Sequence, residues 1–269
     1  MTASGSVRAE VRYLNDEWKE REDRPFIYDR DTRRRNTTRH EVEIIDARDL
    51  TATGTVNVEA NGLTFARHAT SVRDFHDAEA VRASYETEIA PMLQAATGAR
   101  EVFVQSHQVR TEDPETFLGA YSRYIHCDYP LHPMQDRERN LLRQHGSALA
   151  NEVESLDFAW FNIWEPIERP AVQNQLTILD AASTAPEDFQ EYHFTQSATG
   201  GYAAIPTRNS SHRFFYFSRM QPGEAAIFKQ YDSRPNQPMV CPHTAFYDPS
   251  VGEDHPGRRS VEFRALAIY

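Results

Sequence analysis

The sequence predicts a mainly β fold, a double-stranded β-helix of the jelly-roll type backed by helices, and three observations carry that expectation. Short segments rich in aromatic and β-branched residues, separated by Pro, Gly, Asn and Ser, dominate the second half of the chain, at 158–164, 176–179, 213–217, 225–228, 239–246 and 260–269. Helical periodicity is confined to two stretches ahead of them. The length of 269 residues, with no internal repeat or low-complexity tract, suits one all-β domain with a large core.

In chain order, a single domain over residues 1–269 is expected to begin with outer strands and loops covering the barrel through residue 75, including strands at 41–46 and 54–58. Asp77 then reads as the N-cap of a helix whose apolar side is Val81, Tyr85, Ile89 and Leu93, kinked at Pro91 and stopped at Gly98. A strand at 102–109, a strand at 124–129 and a helix at 135–144 follow, and strands complete the chain.

Charge excludes some partners. A net charge of −11 argues against nucleic acid, because phosphate contacts need clustered Lys and Arg. The one basic run, Arg33-Arg34-Arg35, follows Asp29 and Asp31 and reads as a solvated loop. There is no apolar stretch of membrane-spanning length, and the early Glu10 does not suit a basic, apolar leader, so no membrane association and a cytoplasmic location are expected. Cys127 and Cys241 are expected to be reduced thiols.

The chemistry concentrates in an ordered set of residues. His126 and Asp128 are spaced so that a strand would aim both into the lumen, with Cys127 turned into the wall. Far downstream stands His243, and beyond it Arg258 and Ser260. Two imidazoles and one carboxylate leave open positions on divalent iron, the ligand set of non-haem Fe(II) oxygenases. Arg258 offers a planar fork for a carboxylate, and Ser260, on the same face, a hydroxyl donor. Fe(II) with Asp128 leaves one positive charge and Arg258 adds a second, so a dianionic 2-oxo acid such as 2-oxoglutarate neutralises the site. Arg264 shares the parity of Arg258 and competes for the clamp, although Glu262 lies between them as an internal partner.

Other candidates surround this set. Asn162 and Trp164 share a strand face, where the amide could hold a carboxylate and the indole form a pocket wall; core packing explains the tryptophan equally well. His107 and Arg110, at the end of the strand before the His-Xaa-Asp segment, are candidates for the substrate mouth, with an ordinary satisfied histidine as the alternative for His107. Lys229, near Asp232 and Ser233, is a further substrate-binding candidate, against a structural ion pair. His132, His145, His193, His212 and His255 lack ligand-like spacing.

Besides the iron motif, the segments Asn61-Gly62-Leu63, Thr97-Gly98-Ala99, His107-Gln108-Val109-Arg110, Phe161-Asn162-Ile163-Trp164, Phe228-Lys229-Gln230-Tyr231-Asp232-Ser233 and Pro242-His243-Thr244-Ala245-Phe246, together with Arg258 through Arg264, carry a resemblance. From about residue 40 onward the chain resembles the oxygenase family of the cephamycin methoxylation protein, novofumigatonin endoperoxide synthase and gibberellin-desaturase-like enzymes. The resemblance implies a double-stranded β-helix, Fe(II) held by His126, Asp128 and His243, and 2-oxoglutarate held by Arg258 and Ser260. The chain departs from the family pattern at Trp164-Glu165-Pro166, where Trp-Arg-Pro is usual, and at Asn174-Gln175-Leu176-Thr177, where Asp-Xaa-Pro-Leu is usual. Both departures bear on substrate identity more than on the metal.

The function expected is oxidation of a small specialised metabolite by dioxygen and 2-oxoglutarate, with hydroxylation, desaturation, ring formation and peroxide formation as variants set by how substrate is held. A metal-dependent barrel isomerase or lyase would need the triad without the clamp, and a non-catalytic partner protein would need neither. The sequence leaves the substrate and the oligomeric state, a homodimer included, open.

Overall fold

The structure, a computed structural model, describes residues 5–111, 122–252 and 255–269. Two five-stranded sheets face each other. One has the order β1 (Ser6–Leu14), β2 (Thr37–Asp46), β9 (Phe214–Tyr216), β6 (Gln175–Leu179), β11 (His243–Phe246); the other runs β3 (Leu63–Arg67), β10 (Glu224–Asp232), β5 (Phe158–Pro166), β12 (Arg259–Ile268), β4 (Glu101–Thr111). Within these sheets only β2 and β9 pair in parallel. A two-stranded ribbon, β7 (Phe189–His193) with β8 (Tyr202–Pro206), stands beside them. This is the mainly β, jelly-roll architecture expected.

Alternation along the second sheet separates two environments. On β5 and β12, Phe161, Ile163, Val261 and Phe263 pack into an apolar layer with Val81, Ile89 and Leu93 of the helical stretch. That is the apolar stripe read from the sequence. The opposite parity, Asn162, Trp164, Ser260, Glu262 and Arg264, belongs to the lumen.

The helices explain several departures from expectation. Arg33-Arg34-Arg35 lies in α1 (Arg30–Asn36) rather than in a loop, because Asp29 and Thr32 form a capping box: Asp29 accepts from the Thr32 N–H at 2.7 Å, and the Thr32 hydroxyl accepts from the Asp29 N–H at 3.1 Å. The expected strand at 54–58 is instead a turn between α2 (Arg48–Ala52) and α3 (Val58–Asn61), with Asn57 capping α3 by accepting from the Ala60 N–H. Gly62 ends α3 at φ +78°, and a Cβ there would stand 2.8 Å from Cys241 Sγ, so only glycine fits. Asp77 caps α4 (Ala78–Ala83) as expected. The break falls one turn before Pro91, in a π-helical segment Tyr85–Ile89, and the proline sits in the first turn of α5 (Ala90–Thr97), where no N–H is needed. The helix α6 (Gln135–Gln144) lies where expected.

Two strand expectations shorten. Residues 124–129 form no strand: His126 makes a single antiparallel bridge to His243, with backbone hydrogen bonds of 3.2 and 2.9 Å. The strand expected at 239–246 is confined to β11, since Pro238 and Pro242 remove ladder donors ahead of it. The strands β1 and β2 add to the edge of the first sheet next to β9. Cys127 and Cys241 are buried free thiols.

Candidate active site

The backbone bridge between His126 and His243 brings the two imidazoles together, with ring centroids 4.5 Å apart and planes inclined by 43°. Asp128 joins them, and one donor atom from each of the three lies within 4.8 Å of the others. His126 Nδ1 is occupied by the Tyr124 carbonyl at 3.0 Å, which leaves Nε2 turned to Asp128. Burial lowers His126 to about 4, with His243 beside it adding to the shift. Burial likewise lowers His243 to about 4, against the opposing pull of Asp128. Burial raises Asp128, yet Arg264 and then the two imidazoles overcome it and hold the carboxyl well below its usual range. Two neutral imidazoles and an ionised carboxylate are the protonation states that metal ligation requires.

Asp128 is held from three sides. Asn162 Nδ2 donates to Oδ2 at 2.7 Å, Arg264 Nε donates to the same oxygen at 2.9 Å, and the Asp128 backbone N–H donates to Gln230 Oε1 at 2.8 Å. Gln230 also donates to the carbonyls of Lys229 and Cys241, so one buried amide ties the Asp128 segment to the chain just before His243. Sequence reasoning missed Gln230. The available signal was an adjacent polar pair, Lys229-Gln230, inside an otherwise apolar strand; the register of β10 against β5 shifts there.

Around the triad the cleft is lined by Arg110, Trp164, Leu176, Arg258, Glu262 and Arg264. Arg258 is 4% exposed; its Nη1 donates to the Asn174 carbonyl at 2.7 Å, and its guanidinium lies 5.6 Å from the Trp164 ring centroid. Ser260 is fully buried and its hydroxyl has no hydrogen-bond partner among the described residues. Arg264 is engaged by Asp128 and by Glu262, whose Oε1 it reaches at 3.1 Å. The two competing arginines therefore occupy different positions: Arg264 braces the triad carboxylate, while Arg258 stands at the Trp164 side of the cleft.

Not every candidate reaches this cleft. His107 pairs with Phe263 and faces the helical layer, where its Nδ1 meets the Tyr85 hydroxyl at 2.6 Å. Arg110, three residues on and so of opposite parity, lines the cleft. Lys229 is fully buried, with Nζ 2.6 Å from Asp232 Oδ2 and 3.5 Å from Gln237 Oε1, and it does not line the cleft. Asn162 holds Asp128, and no second carboxylate is needed to explain its Nδ2.

The donor set and its protonation states fit iron, and the unpartnered Ser260 hydroxyl beside the Arg258 strand start fits a carboxylate. Residues 11–268 match the family described as Oxidoreductase/YMDC permease-like domain. The chain belongs to that family. It is 27% identical over 246 residues to the Fe(II)/2-oxoglutarate-dependent dioxygenase nvfI of Aspergillus novofumigatus, covering 87% of this chain and 84% of that protein. It is 28% identical over 240 residues to a hydroxylase/desaturase of Cercospora beticola, covering 79% and 72%. Among solved structures, a variant of the iron and alpha-ketoglutarate-dependent endoperoxidase NvfI superposes with a TM-score of 0.82 at 25% identity, covering 100% of this chain and 99% of that one. For all the permease-like wording, no helix among the described residues is long and apolar enough to cross a membrane.

Proposed function

We propose that His126, Asp128 and His243 hold one Fe(II), and that Arg258 with Ser260 holds the distal carboxylate of 2-oxoglutarate. The protein is an Fe(II)- and 2-oxoglutarate-dependent oxygenase of specialised metabolism. The observation that carries the residue assignment is the convergence of the three donors in one cleft with the buried Arg258.

Iron with 2-oxoglutarate and dioxygen supplies the oxidising power when bound. The chain's own groups do the rest. Asn162 and Arg264 fix the orientation of Asp128 and keep it ionised, so the carboxylate does not have to be deprotonated when the metal arrives. Tyr124 fixes the tautomer of His126 through its carbonyl. Trp164 and Arg110 line the approach and are assigned to substrate positioning; His107 and Lys229, turned elsewhere, are not. A small-molecule substrate completes the reaction.

An isomerase or lyase reading leaves Arg258 without a task, and a non-catalytic reading leaves the triad without one. The test is conversion of 2-oxoglutarate to succinate by the purified protein in air with added Fe(II), measured without substrate as the slow uncoupled reaction. Succinate formation that disappears in Asp128→Ala is expected. Absence of succinate from the iron-loaded wild type across candidate substrates would contradict the proposal.

A further inference from the structure

Outside the triad, a cavity of about 1000 Å³ is walled by β1, β2 and α1. In a chain of net charge −11 it gathers Arg8, Arg12, Arg30, Arg33, Arg34 and Arg39, with Arg123 joining from the segment before His126. Only two acidic residues line it, Glu10 and Glu41, and both are already committed: Glu41 to Arg8 at 3.4 Å and Glu10 to Arg39 at 2.9 Å. Arg12, Arg30, Arg33 and Arg34 make no ion pair with a described carboxylate. Arg12 donates only to the carbonyl and hydroxyl of Thr37. Arg33 is half-buried with Nε unpartnered.

This arrangement costs stability. The register of β1 against β2 sets Arg12 directly opposite Arg39, a like-charge pair in the cross-strand position where opposite charges would be favourable. Burial lowers the Arg12 guanidinium, and Arg39, Arg33 and Arg34 lower it further. Burial lowers Arg33 in the same way, with Arg123, Arg34 and Arg30 contributing. A cluster of mutually repelling cations in a concave site is the electrostatic complement of a ligand with several negative charges.

The cavity adjoins the triad. Ala245, two residues after His243 on β11 and of the same parity, lines both the cavity and the inner cleft. Asn174 lines the cavity while its carbonyl accepts from Arg258, and Ser122 of the inner cleft is the chain neighbour of Arg123. Within the inner cleft, Arg110, Arg258 and Arg264 outnumber Asp128 and Glu262 by one, and a divalent iron with a dianionic co-substrate leaves that excess unchanged. An anionic substrate approaching from the arginine side meets no uncompensated negative charge.

We propose that this arginine-lined cavity is the substrate seat and that it takes a small molecule carrying two or more negative charges, as carboxylates or phosphates, whose oxidisable carbon projects past Ala245 toward His243. The proposal rests on the oxygenase reading for what happens to that carbon, but not for the binding. Small molecules are favoured over nucleic acid because the site is concave and the remainder of the chain is strongly acidic.

The test therefore uses metal-free protein, so that failure of the iron assignment and failure of this one remain distinct. Calorimetric titrations with tricarballylate, its neutral trimethyl ester, inorganic pyrophosphate and decathymidylate are compared. At least one of the two small anions is expected to bind with Kd below about 1 mM, the ester not measurably, and the bound anion's preference tells carboxylate from phosphate. Arg33→Gln combined with Arg34→Gln, and separately Arg12→Gln, should each weaken that binding about tenfold or more, while Arg143→Gln on α6 leaves it unchanged. Raising salt should weaken it as well. All variants should retain wild-type circular dichroism and Fe(II) affinity. The proposal is overturned by absence of binding of both anions, by equal binding of the ester, by wild-type affinity in both arginine variants, or by decathymidylate binding more tightly than either small anion.

Discussion

Along β5 the lumen face presents Asn162 and Trp164, with Trp160 of the same parity packed against α6 beside Leu141 and Leu142, whereas the face turned to α4 and α5 presents Phe161, Ile163 and Glu165. The two faces also treat histidine oppositely. In the lumen, burial drives His126 and His243 down to about 4. At the outer face His68 is buried too, but Glu165 at 2.9 Å and Glu88 at 3.4 Å overcome the burial and raise it. The comparison locates the departure Trp164-Glu165-Pro166. The unusual residue faces away from the cleft, against a histidine, so it alters a structural ion pair and leaves the metal site's own wall to Trp164. The second departure does reach the site, because Asn174 supplies the carbonyl that Arg258 uses.

The largest effect separating the faces concerns turnover. His243→Ala or Asp128→Ala should abolish substrate oxidation and tight Fe(II) binding while the protein stays folded, measured by metal analysis and circular dichroism; stoichiometric iron in both would remove the lumen face from the chemistry. Next in size, Phe263→Ala on the helical face should cost about 3–5 kcal/mol in denaturant unfolding, by cavity formation, with activity per folded molecule retained. Asn162→Ala should lower Fe(II) affinity by about 10–100-fold, the usual loss when a group orienting a ligand is removed, and a change confined to stability would reclassify it as packing.

The smallest effect is in pH dependence, and its sign differs between the faces. His126 and His243 are depressed in the fold, so the stability of the metal-free protein from this source is fully present above about pH 6.5 and is lost as pH falls toward 4. His68 is raised, so its contribution is present below about pH 6.5 and is lost as pH rises through its folded value. His68→Gln should therefore destabilise the protein more at pH 6 than at pH 9 in denaturant titrations. An equal loss at both would mean that the His68 charge contributes nothing.

Much of this was legible from strand alternation and ligand spacing. The terminal strand, with Ser260, Glu262 and Arg264 on one face, reads directly, and the three metal-ligand candidates converge as their residue types suggest. Alternation applied strictly would also have separated His107 from Arg110, since three residues along a strand reverses the face. Other features depend on contacts no local pattern encodes. Nothing near Arg264 announces that Asp128, far back in the chain, will pair with it, and Lys229 finds Asp232 only because β10 bulges. The Arg33-Arg34-Arg35 helix was within reach, through Asp29 and Thr32, but its convergence with Arg8, Arg12 and Arg39 follows from the pairing of β1 with β2.

The central claim is that two of the lumen's arginines divide by task, Arg258 for the co-substrate and Arg264 for Asp128. Anaerobic titration of the iron-loaded protein with 2-oxoglutarate, following the charge-transfer absorbance, tests it in Arg258→Gln, Arg259→Gln and Arg264→Gln. Loss of a charged partner in a partly buried site costs about 2–5 kcal/mol, so Arg258→Gln should weaken co-substrate binding well over tenfold while keeping its iron. Arg259→Gln, whose partner is Glu168 at the surface, should barely matter. Arg264→Gln should lose iron affinity first. Retained iron with lost co-substrate binding in Arg264→Gln, and wild-type binding in Arg258→Gln, would contradict the account.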